Sequence, residues 1–143
     1  MNLSEHFTLE ELTVTQTGHA NVPDAAHKVE LVRLCNTVLE PMRALLGVPI
    51  TIDSGFRSPE VNAAIPGSAA KSQHMAGQAA DTVPHMDLEE AFQKIKASNI
   101  PYDQLILEPG WIHISEAPVT RPPRRQTLRM QRDAEGHPHY GVY

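Results

Sequence analysis

The stretch Asp103-Gln104-Leu105-Ile106-Leu107-Glu108-Pro109-Gly110-Trp111-Ile112-His113-Ile114-Ser115 places two β-prone runs on either side of Pro109-Gly110. Short runs rich in Ile and aromatic residues favour strands, and Pro-Gly supplies a tight turn, so the segment predicts an antiparallel hairpin. Working outward, Gln78 to Val83 alternates so that Ala79, Asp81 and Val83 share one strand face, which points Asp81 inward among small apolar residues. Val48 to Ser54 is alternating and β-branched, with Ile50 and Ile52 toward the core. The fold class is therefore α+β: a small, mainly antiparallel sheet from about 48–54, 78–83, 103–108 and 111–115, flanked by helices.

The helices are marked by their caps. Thr8 and Glu11 form a capping box, with Phe7 and Leu12 as a staple, before a short helix near 9–13. Residues 14–23 read as a loop. Asp24 caps the main core helix, in which Val29, Val32, Cys35, Val38, Leu39, Met42 and Leu46 recur at spacings of three and four until Gly47 stops it. Pro41 inside this pattern predicts a kink near Val38. Ser58-Pro59-Glu60 starts a helix over about 59–65, and Asp87 with Glu90 starts another over about 88–98. The loop 66–72 between them is rich in small residues.

The chain of 143 residues fits one domain, with residues 1–120 as its body and 121–143 as a basic, proline-rich extension. Thr127 to Gln131 can add an edge strand, and Gly136 to Tyr140 reads as mobile. A net charge of -5 lacks the basic footprint of a nucleic-acid binder, and no apolar run approaches the ~20 residues of a membrane span. The N-terminus has neither the basic start nor the apolar block of a signal peptide, so synthesis in the cytoplasm is expected. Cys35 stands alone in an apolar stripe and reads as buried filler, and a monomer is the simplest state.

Chemistry concentrates in Ser72-Gln73-His74-Met75-Ala76-Gly77-Gln78-Ala79-Ala80-Asp81 and in His113. An inward carboxylate needs a cation, because a buried charge is costly unless it is paired or metal-bound. His74, Asp81 and His113 form a candidate set for zinc, which accepts imidazole nitrogen and carboxylate oxygen and, in catalytic sites, takes three protein ligands. Such a site supports hydrolysis, which also requires a residue to carry the proton from water to the leaving group. Glu108 is the carboxylate nearest His113 in sequence. In a straight strand the two would face opposite sides, but Pro109-Gly110 breaks that parity and lets Glu108 turn back.

Ser72-x-His74-x-x-Gly77-x-Ala79-x-Asp81, joined to Trp111-x-His113-x-Ser115, resembles the zinc D-alanyl-D-alanine carboxypeptidase family of cell-wall carboxypeptidases, dipeptidases and phage endolysin peptidases. Ser54-Gly55-Phe56-Arg57-Ser58-Pro59-Glu60-Val61-Asn62 is similar to that family's first block, and the resemblance spans about residues 4–116. It implies a hedgehog-like fold, one zinc held by His74, Asp81 and His113, Arg57 as the cation at the substrate, and the stem peptides of peptidoglycan as partner. Several relatives carry the catalytic acid three residues before the last histidine, where this chain has Gly110, and others a histidine two before it, where this chain has Trp111. Glu108 as general base and acid is thus assigned from the residues and not transferred.

Arg57 has two uses under this reading, a bidentate grip on a terminal carboxylate or support of a developing oxyanion. Ser72 and Gln73 either line the pocket, orient His74, or satisfy loop backbone. Trp111 either walls the pocket or packs in the core, and Ser115 reads as a hydrogen-bonding support. His6, His19, His27, His85, His137 and His139 read as surface residues. The alternative to an enzyme is a zinc-containing binding module without activity, as in the related hedgehog signalling domain, or a virion-associated structural protein. Without an export signal, action on the cell wall implies release by other means, as for a phage or prophage lysin.

Overall fold

The computed structural model describes residues 1–142. Thr8 accepts from the Glu11 amide while the Glu11 side chain accepts from the Thr8 amide, closing the capping box on α1 (Leu9–Leu12). Asp24 caps α2 (Ala25–Leu34) by accepting from the His27 amide. A π-helical turn, Cys35–Leu39, carries the helix on into α3 (Glu40–Leu46), and Gly47 ends it in the left-handed conformation with φ 69°. The disturbance expected near Val38 is this π turn: the Glu40 amide reaches the Cys35 carbonyl, one residue further back than an α-helix uses. A wider turn accommodates Pro41, which has no amide hydrogen to contribute.

The remaining elements are β1 (Ile50–Ser54), α4 (Pro59–Ala64), β2 (Ala79–Pro84), α5 (Leu88–Ala97), β3 (Tyr102–Glu108), β4 (Trp111–Glu116), β5 (Gln126–Arg132) and β6 (Pro138–Val142). Ser58 and Asp87 cap α4 and α5 by accepting from the amides of Val61 and Glu90. The strands form one sheet in the order β1-β2-β4-β3-β5-β6, antiparallel throughout except for the parallel pair β3 and β5. The hairpin is present as expected: Glu108 pairs with Trp111 across Pro109-Gly110, and Ile106 pairs with His113.

Two expectations about the strands of the C-terminal segment change. Four strands become six, because β5 and β6 extend the sheet beyond β3, so Thr127 to Gln131 lies inside the sheet and not at its edge. Residues 136–140, expected to be mobile, belong largely to β6, whose backbone pairs with β5. The strand was invisible to patterning because it is exposed along its whole length and has no apolar face to alternate.

The helices cover one face of the sheet. Leu31, Leu34, Val38 and Met42 meet Ile52, Ala80, Leu105, Ile112 and Ile114, with Phe92 and Ile95 of α5 completing the core. Each of the larger side chains among them adds about 1.5–3 kcal/mol of burial free energy. Cys35 is part of this core, and burial pushes its thiol up to about 12, consistent with filler. A register shift between Tyr102 and Leu105 lets both residues enter the core while Gln104 turns to the opposite face. Ala80 and Thr82 are the fully buried residues on the helix side of β2, so Asp81 points away from the core into an open cleft. Alternation separates Asp81 from Ala80 but cannot say which face the helices will cover, and the inward expectation for Asp81 is corrected accordingly.

Candidate metal centre

His74 sits in a run of turns between α4 and β2. Its amide donates to Ser72 Oγ at 3.1 Å, and its carbonyl accepts from the amides of Arg57 at 3.1 Å and Gly77 at 3.2 Å. Gly77 has φ 74°, and a Cβ there would lie 3.0 Å from the His27 carbonyl oxygen, so glycine allows both the turn and its approach to α2. The ring is nearly fully buried and its Nδ1 donates to the Gly55 carbonyl at 2.8 Å. That bond sets the tautomer and leaves Nε2 as a lone-pair donor.

Asp81 and His113 are direct partners across the antiparallel pair β2 and β4, which puts carboxylate and imidazole in one row on the cleft face. Asp81 Oδ1 lies 3.0 Å from His113 Nδ1 and 3.3 Å from His74 Nε2. Ligand atoms of the three residues all fall within 4.8 Å of one another. Two nitrogens and a carboxylate oxygen converging from three segments fit the donor set of a catalytic zinc site.

The electrostatics suit a cation. Burial lowers the His74 pKa, favouring the neutral imidazole that a metal needs. Burial pushes the Asp81 carboxyl up, but hydrogen bonding from His113 outweighs it and holds the group well below the usual carboxylate range. The second carboxylate oxygen, Oδ2, accepts from an Arg57 terminal nitrogen at 3.0 Å, and Arg57 Nε donates to Ser54 Oγ at 2.9 Å. Arg57 is itself mostly buried, and it lines the cleft while holding Asp81.

The cleft has a volume of about 570 Å³, a size suited to a short peptide segment. Glu108 and Trp111, paired across the turn, both line it, as do Ser72 and Gln73. Glu108 therefore shares a sheet face with His113, whose partner Ile106 lies two residues before it on β3. Burial raises the Glu108 pKa, with the charges of His113 and Arg132 opposing and that of Asp81 adding to the rise. Gln73 Nε2 donates at 3.1 Å to Asp103 Oδ2 and to the Glu116 carbonyl, so its amide nitrogen anchors the His74 loop. Ser115 Oγ accepts from the Gln104 amide at 3.1 Å, a supporting role.

Patterning gave no sign of two features. Asp103, fully buried, binds both Arg121, at 2.6 Å, and Arg124, at 2.8 Å, which ties the basic segment to the sheet and to Gln73. Met130, Arg132, Pro138 and Tyr140 of β5 and β6 form one wall of the cleft. An exposed tail with no periodicity carries no signal that it will fold back over a site. Among the other histidines, His6 and His85 have surface partners, Glu40 Oε1 at 2.7 Å and Thr51 Oγ1 at 2.8 Å. No helix among the described residues is long and apolar enough to cross a membrane.

Residues 5–115 match the model of a family described as Peptidase M15. No curated protein matches the chain. The matched span contains His74, Asp81, His113, Arg57 and Glu108 and ends before β5 and β6.

Proposed function

Because this chain belongs to the peptidase M15 family, a family of zinc peptidases, we propose that it hydrolyses a peptide bond in the stem peptides of bacterial peptidoglycan, as a D-alanyl-D-alanine carboxypeptidase-like or endolysin-like enzyme. His74, Asp81 and His113 would hold one zinc, in a monomer. When bound, zinc supplies a Lewis acid that polarises the scissile carbonyl and lowers the pKa of water toward ~7.

The chain's own residues do the rest. Glu108 takes a proton from the attacking water as the C–O bond forms, and passes it to the departing amine nitrogen as the C–N bond breaks. A carboxyl raised by burial suits both halves of that transfer, since it gains and gives up a proton with less penalty than an ordinary surface glutamate. Arg57 keeps Asp81 in place and presents its remaining donors to the substrate's terminal carboxylate or the developing oxyanion. Ser72, Gln73 and Trp111 line the peptide's path.

The observation that carries the enzymatic reading over a non-catalytic binding module is Glu108 on the cleft face shared with His113. A metal-holding scaffold used only for recognition needs no half-buried carboxylate there. Incubating the zinc-loaded protein with purified peptidoglycan and identifying new amino and carboxyl ends by mass spectrometry tests the proposal and names the bond. Absence of new ends at any stem-peptide bond rejects it. Action at the cell wall, after release by a phage or prophage route, is part of the same proposal.

A further inference from the structure

The wall of the cleft contributed by β5 and β6 lies outside the matched residues 5–115, yet it is in register with the centre of the site. Leu107 aligns with Arg129 on the parallel neighbour, so Glu108 aligns one step on with Met130, and Met130 pairs with Tyr140. Trp111, Glu108, Met130 and Tyr140 thus form a row across four strands, and all four line the cleft. Arg132, two residues past Met130, shares its face and pairs with Pro138, and both line the cleft as well.

The charge of this cleft opposes that of the molecule. The chain carries -5 overall, but its cleft is lined by Arg57, Lys71, Arg124 and Arg132 against Asp81 and Glu108. Asp81 engages Arg57, and Asp103 engages Arg124. Arg132 donates from one terminal nitrogen to the Gly136 carbonyl at 2.9 Å, and among the described residues no carboxylate lies within salt-bridge distance of it or of Lys71. Tyr140 is half-exposed, with its ring beside the site and its hydroxyl hydrogen-bonding with the Glu108 carboxyl. A guanidinium with spare donors is a carboxylate-binding group, and local positive potential in an acidic protein concentrates anions there.

We propose that the β5–β6 hairpin is the specificity wall of this cleft, with Arg132 binding a second carboxylate that the substrate peptide carries. This rests on the peptidase reading above and adds the substrate's charge to it. A neutral peptide lacks that contact, and the terminal-carboxylate contact proposed for Arg57 lies at the metal end of the cleft, so the two are separable.

The test uses the zinc-loaded full chain and the pentapeptide L-Ala-γ-D-Glu-L-Lys-D-Ala-D-Ala with its glutamyl α-carboxyl either free or amidated, comparing binding by calorimetry and cleavage by kcat/KM. The free acid is expected to lead the amide by about tenfold in both measurements, a difference typical of one charge-assisted contact. Arg132→Gln should bring the acid-to-amide ratio close to one, and Arg132→Lys should restore part of it. An unchanged melting temperature in each variant establishes that the hairpin is intact. Equal handling of acid and amide by the wild-type protein, or a ratio that Arg132→Gln leaves unchanged, overturns the subsite while leaving hydrolysis in place. If neither peptide is cleaved but the acid still binds better through Arg132, the peptidase reading fails and the subsite stands.

Discussion

The Nδ1 of His74 donates to the carbonyl oxygen of Gly55 across 2.8 Å, joining the two blocks of sequence that build the site. Gly55 is fixed from its other side, since Phe56 donates its amide to the Leu12 carbonyl at 2.7 Å and a Cβ on Gly55 would lie 2.5 Å from that same oxygen. The proposed metal ligand His74 is thus oriented by backbone that only glycine permits to pass so close to α1.

Gly55→Ala should therefore act at a distance from the metal. The added methyl must displace α1 or the strand end, at about 1–3 kcal/mol of stability, and should weaken zinc affinity by roughly 10-fold or more through His74. Thermal unfolding with and without chelator, together with zinc competition, checks both effects. Normal zinc affinity in a folded Gly55→Ala protein would remove the orienting role of this contact.

Substitutions at the site should separate metal from proton transfer. His74→Ala, Asp81→Ala and His113→Ala should each lose stoichiometric zinc, the rise in melting temperature that zinc brings, and hydrolysis. Glu108→Gln should keep one zinc per chain and the same melting behaviour while hydrolysis falls by about 10²–10⁴. Full activity in Glu108→Gln would move the proton to another group.

Glu116 should make stability fall toward alkaline pH. It is buried on the helix side of β4, with Arg33 at 3.5 Å, and burial, with Glu30 adding and Arg33 opposing, pushes its carboxyl up to about 8 from 4.5. In that interval the folded chain holds a proton that the unfolded chain has released, so the contribution is whole below about 4.5 and is lost as pH rises through about 8. Urea unfolding across this range should show the decline, and Glu116→Gln should flatten it. An identical slope in both proteins would assign the effect elsewhere.

Asp103 should anchor the segment that leads to β5. Its hydrogen bonds from Arg121 and Arg124, against the opposing effect of burial, hold the carboxyl well below the usual range, and Gln73 donates to it as well. Asp103→Asn should cost about 2 kcal/mol, less than a pair buried on both sides because the arginines are partly exposed. Limited proteolysis should then cut preferentially within residues 118–125, and resistance there equal to the wild type would show that the segment is held by other contacts.

Much of this was written in one dimension. Capping residues and apolar spacing located the starts of α1, α2, α4 and α5, Pro109-Gly110 marked the hairpin, and His74, Asp81 and His113 stood out because rare residue types recur in a short pattern. These are local signals, set by backbone preference and by spacing along the chain. Three matters needed the folded chain. The face that Asp81 uses depends on where α2 and α5 pack, the nearness of Glu108 to the site on the register across Pro109-Gly110, and the second wall of the cleft on an exposed strand whose pairing partner precedes it. Each is a relation between segments distant in sequence, and periodicity within one segment carries no information about which neighbour will cover it.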